Sequence, residues 1–102
     1  MAAEEALVAA HECGLPLVEQ HCRLALAAAR CAAGDLAEAD EAARRAESGY
    51  RKGGNGLGEA RALWLRSRIA GRAGDPTDTY RERGADLLTG LDLPRRALGR
   101  HA

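Results

Sequence analysis

The sequence has no phenylalanine, one tryptophan and two tyrosines, so aromatic residues make up only 3% of its 102 positions. A core built on aromatic side chains is thereby excluded. Leucine, isoleucine and valine together number only 17, of which 14 are leucine, a shortage that in a highly charged chain signals disorder. Two features oppose disorder here: formal net charge is zero, and the 23 alanines are strong helix formers that lose no side-chain entropy on folding. The core is expected to be thin, made by helices that approach closely over alanine.

Other absences narrow the class. No apolar run approaches the ~20 residues of a membrane span, and acids stand near the N-terminus where a signal peptide carries bases. No membrane partner and a cytoplasmic location are expected. Without excess positive charge, direct nucleic-acid binding is not expected either. Arg95, Arg96 and Arg100 form a basic end, but no aromatics interleave with them and no helix-turn-helix signature accompanies them. Lysine is almost missing: fourteen of the fifteen bases are arginine, which with the alanine content suggests a high-GC bacterial genome. Charge is unevenly placed, since residues 1–40 hold seven acids against two arginines (−5) and residues 41–102 hold thirteen bases against eight acids (+5). Such asymmetry favours head-to-tail contacts or a charged partner, or reflects solvated faces.

No segment alternates with period two, and no β-branched cluster occurs, so the chain reads as all-α. Residues 2–13 read as a helix stopped by Gly14. Pro16 opens a second helix to Ala33, with Leu17, Leu24, Ala28 and Cys31 on one stripe and Val18, Cys22, Ala25 and Ala29 on the next; so wide an apolar arc predicts packing on two sides. Gly34 stops it, and Asp35 is placed to cap a third helix, with Glu38 completing a D-x-x-E start. Leu36, Ala39, Ala43, Ala46 and Tyr50 form a narrow apolar stripe, while Asp40–Arg44, Glu41–Arg45 and Glu47–Arg51 pair i to i+4 on a side expected to face solvent. "GGNG" at 53–56 reads as the longest flexible element. A fourth helix covers Leu57 to Ala73, and Asp75 is placed to cap a fifth that begins at Pro76.

Gly34-Asp35 recurs as Gly74-Asp75, and the same shift of 40 carries Gly14 onto Gly54, Leu17 onto Leu57 and Glu19 onto Glu59. A helical period of that length belongs to solenoids. "AAGDLAEADEAARRAESGY", with Leu36, Ala39 and Ala46 after its Gly-Asp turn, resembles the turn and second helix of a tetratricopeptide repeat. The longer flavour, with its "GLPLVEQ" and "NGLGEA" openings, is similar to the C-terminal arrays of bacterial regulatory ATPases and transcriptional activators. The resemblance covers roughly residues 1–92 and implies antiparallel helical hairpins stacked as a short right-handed α-solenoid of about five helices. Residues 1–13 would be a half repeat, 16–52 a repeat, 57–90 a degenerate repeat and 93–102 a short basic tail. The second unit departs from the pattern, with Thr79 and Asp86 where the first has Ala39 and Ala46.

Three constellations bear on function. His11, Cys13, His21, Cys22 and Cys31 lack any C-x2-C or H-x3-H pair, and adjacent His21 and Cys22 point about 100° apart on a helix; free, packed thiols and packed or surface histidines are expected. No nucleophile stands beside a base and an orienting acid, and "GGNGLG" lacks the strand and lysine of a phosphate loop, so neither catalysis nor a cofactor is expected. The third is a binding face. Tetratricopeptide arrays line a groove with the first helix of each pair, which by register implies His21, Leu24, Ala28 and Cys31, then Arg61, Trp64 and Arg68, with Arg72 at the edge. Arginines around a tryptophan would suit an acidic protein or peptide; alternatively Trp64 fills the core between helices four and two. The implied function is a protein–protein interaction module or scaffold in a regulatory system. The alternatives are a homo-oligomer formed through helices one or five, and a small Cys/His metal- or thiol-dependent protein.

Overall fold

Glycine sets the spacing of the fold. A computed structural model describes residues 2–91, and in it Gly14, Gly34, Gly54 and Gly74 all adopt the left-handed conformation, with φ of 67°, 88°, 72° and 81°. After each glycine the next N–H reaches back five residues: Leu15 to Ala10, Asp35 to Arg30, Asn55 to Tyr50 and Asp75 to Ala70, at 2.8 or 2.9 Å. This is the Schellman closure of a helix C-terminus, which satisfies carbonyls the helix leaves open. A side chain in that conformation costs roughly 1–2 kcal/mol, so the fold reserves every twentieth position for glycine.

Between these stops lie α1 (Ala2–Glu12), α2 (Pro16–Ala33), α3 (Leu36–Lys52), α4 (Gly56–Ala73) and α5 (Asp78–Gly90). Each helix packs on its neighbour in the chain, and α2 also touches α4. The architecture is therefore all-α, a series of helical hairpins, with no strand among the described residues. The core is as thin as the composition requires. Ala27, Ala39, Ala43, Ala46, Ala60 and Ala62 are all 0% exposed, and α2, α3 and α4 meet over Ala27, Cys31, Ala39, Ala43, Leu65 and Ile69. A second cluster, Ala60, Trp64 and Leu88, joins α4 to α5.

Glycine also permits close approach. A Cβ on Gly58 would lie 2.3 Å from Cδ1 of Tyr50, whose ring is fully buried. Gly58→Ala is expected to destabilise by about 1–2 kcal/mol in denaturant titration, because overpacking outweighs alanine's better helix propensity. Gly90→Ala serves as the control. A Cβ there meets nothing within 4 Å, so it should be neutral or mildly stabilising.

Several expectations are corrected. "GGNG" is no flexible linker: Gly54 repeats the same closure and the Asn55 side chain accepts from the Gly58 N–H at 2.9 Å, capping α4. Asp35 makes no side-chain cap bond, and Glu38 takes the Arg30 guanidinium instead of closing a box. α5 begins at Asp78 rather than Pro76. After Gly34 the Leu36 N–H donates to the Gly34 carbonyl at 2.9 Å; Pro76, in the corresponding place, has no N–H to do so. In consequence Gly84 and Leu88 face inward, one residue later than a strict 40-residue shift of Ala43 and Glu47. Thr79 and Asp86 lie exposed where Ala39 and Ala46 are buried.

The wide arc of α2 is only partly covered. It packs on two sides as expected, on α1 and on α3, with Gln20, Ala27 and Cys31 buried and Cys22, Leu24 and Leu26 half-buried, but Leu17, Val18, Ala25, Ala28 and Ala29 are exposed. The polar side of α3 is not wholly solvated either: Glu41 pairs with Arg44 and Arg45 at the surface, whereas Glu47 is buried. The basic tail at 93–102 lies outside the described residues.

Candidate protein-binding face

Positions 21, 28 and 32 of α2 correspond to 61, 68 and 72 of α4 under the 40-residue shift. At 3.6 residues per turn each trio falls within an arc of about 40°. All six are exposed: His21, Ala28 and Ala32 on α2, Arg61, Arg68 and Arg72 on α4. Because α2 and α4 touch, His21 and two alanines lie beside a row of arginines.

The arginines differ in what holds them. Arg72 donates to the carbonyl oxygen of Cys31, and its Nη1 lies 3.8 Å from the Cys31 Sγ. This ties the end of α4 to the last turn of α2, where a cation is favoured by the helix dipole. Arg68 carries no ion pair among the described residues. Arg61 lies near Tyr50, whose hydroxyl shares a 2.5 Å hydrogen bond with Nδ1 of His21. Burial pushes the Tyr50 pKa up, and the positive charge of Arg61 opposes that shift. The neutral phenol is thus the form the fold prefers. Its contribution is complete below the ordinary tyrosine range and is lost as pH rises through the elevated folded value, above about pH 10.

Three of the eight residues predicted for the face, Trp64, Leu24 and Cys31, serve packing instead. Trp64 is 7% exposed and lies with Ala60 and Leu88, with the Arg81 guanidinium 5.1 Å from its ring centroid. It fills the seam between α4 and α5, neither a groove anchor nor the filler between helices four and two. Leu24 is half-buried against the α2–α3–α4 core.

The comparisons leave the family open. No protein-family model, curated protein or solved structure matches the chain. Charge and geometry therefore decide between this face and the groove of ≈ 850 Å³ between α3 and α5, which Asp40, Arg66, Tyr80 and Arg83 help to line.

That groove is occupied by its own ion pairs. Arg66 donates to Asp40 at 2.9 Å and to Glu47 at 3.0 Å, with its guanidinium carbon 4.6 Å from the Tyr80 ring centroid. Glu47 also accepts from Arg51 at 2.5 Å and Arg83 at 3.2 Å. Burial disfavours the Arg66 charge, but the bonds from Asp40 and Glu47 outweigh it and hold its pKa above the ordinary value. Sequence reasoning missed this hub. Its available signal was the seven-residue spacing of Asp40 and Glu47, which sets both on one stripe of α3.

The metal candidates are not brought together. His11 pairs with Glu19, His21 with Tyr50, and Cys13 is exposed while Cys31 is buried. Among the described residues no group of three His, Cys, Asp or Glu side chains is placed to hold a metal ion, and no helix is long and apolar enough to cross a membrane.

Proposed function

We infer that this chain is a non-catalytic protein-interaction module of tetratricopeptide-like design, whose α2–α4 face binds an acidic protein or peptide segment. The observation that carries this reading is the arginine row at 61, 68 and 72, exposed on one side of α4 in a chain without net charge. The groove between α3 and α5 has its charges neutralised internally; the Arg68 guanidinium remains available for bidentate pairing with a carboxylate. The helical spacing and Gly-Asp turns further support a place in a cytoplasmic bacterial regulatory scaffold.

Fluorescence anisotropy with a labelled glutamate-rich peptide tests it. Arg61→Ala/Arg68→Ala should weaken binding by roughly 30-fold, at about 1 kcal/mol per exposed pair, while Arg83→Ala leaves it unchanged. Equal binding of acidic and basic peptides, or no response to the α4 variants, refutes the reading.

A further inference from the structure

Among the described residues, nothing packs on the side of α1 away from α2 or on the side of α5 away from α4. Both sides are acidic. α1 presents Glu5 and Glu12, with Val8, 57% exposed, between them; α5 presents Glu82 and Asp86. Like charges oppose end-to-end stacking of α1 on α5.

The complementary surface is α4. Arg61 and Arg68 stand seven residues apart, as do Glu5 and Glu12, so each pair spans two turns, about 10.5 Å along its helix. Neither glutamate has a basic partner among the described residues. The exposed acids of α5, Asp78, Glu82 and Asp86, follow one another at four residues, so no pair has the seven-residue spacing, and no exposed large apolar residue lies among them. Charge sign and spacing together therefore single out α1.

We propose that the α2–α4 face receives α1 of a second copy of this chain, with Glu5 and Glu12 against Arg61 and Arg68 and Val8 set on the exposed Ala25 and Ala28 of α2. This rests on the reading of that face as one for acidic helices. Each copy carries both surfaces, so the contact made twice about a twofold axis closes a dimer.

Sedimentation equilibrium at low ionic strength, with circular dichroism as a check on folding, tests it through charge exchange. The unaltered chain should dimerise, and less so as salt rises. Glu5→Arg/Glu12→Arg and Arg61→Glu/Arg68→Glu should each weaken self-association at least ~100-fold, because like charges now face one another. Mixing the two variants should restore a heterodimer, since each supplies what the other lost; misfolding could not produce that rescue. A monomeric unaltered chain, or a mixture that fails to associate, overturns the proposal. If the unaltered chain is monomeric yet still binds the glutamate-rich peptide, and that binding is lost with Arg61→Glu/Arg68→Glu, the acidic-partner reading stands while self-docking falls. Loss of neither interaction removes both.

Discussion

Glu47→Ala is expected to lower unfolding free energy by about 3 kcal/mol, the lower end for breaking a buried ion pair, and the melting temperature by roughly 10–20 °C. The Glu47 side chain is 5% exposed and accepts from Arg51, Arg66 and Arg83. Removing it leaves Arg66, itself 13% exposed, with Asp40 alone as its anionic partner among the described residues. The effect comes less from Coulomb attraction lost at the surface than from a guanidinium left desolvated and half-satisfied. Arg51→Ala and Arg83→Ala should cost under about 1 kcal/mol each, since both are about half exposed. Thermal unfolding of the three variants checks the ordering. Equal losses would mean that no hub exists.

Tyr50→Ala is expected to cost about 3–5 kcal/mol, the range for a fully buried aromatic cut to alanine. The ring sits with Ala46 and Ala62, with half-buried Leu24 packed beside them, and against Gly58; the alanines around it cannot extend to fill the void. Tyr50→Phe separates ring from hydroxyl. Its partner His21 is exposed, so water can replace the bond and only about 0.5–1 kcal/mol is lost; with the hydroxyl goes the destabilisation that its ionisation brings above about pH 10. A double-mutant cycle adds a sharper check. Gly58→Ala should be harmful in the unaltered chain and neutral or helpful beside Tyr50→Ala, because the clash and the cavity are the same space.

These predictions show which parts of the structure were legible in the sequence. Gly34 and Gly74 were legible because a left-handed helix stop needs glycine and leaves that mark. The small residues of α3 were legible because Ala39, Ala43 and Ala46 recur at helical spacing. The start of α5 was misplaced at Pro76, since Asp75-Pro76 reads as a helix start, and what tells against it is a missing N–H visible only against the turn at Leu36. Glu47 was misread for a physical reason: an acid four residues before Arg51 looks like a surface pair, and only tertiary packing shows α4 and α5 bringing Arg66 and Arg83 onto it. Trp64 was similar, because periodicity fixes the side of α4 from which it projects but not which neighbour covers that side. The arginine row and its counterparts His21 and Ala28 on α2 could be read from register, and the structure adds that all of them are exposed.

Amide chemical-shift mapping on titration with a glutamate-rich peptide tests most directly that the α2–α4 face is the binding surface. The largest changes should fall at 21–32 and 61–72, with the indole N–H of Trp64, sealed against α5, moving little. Changes concentrated in α3 and α5 around Asp40 and Tyr80, or none at all, would contradict that assignment.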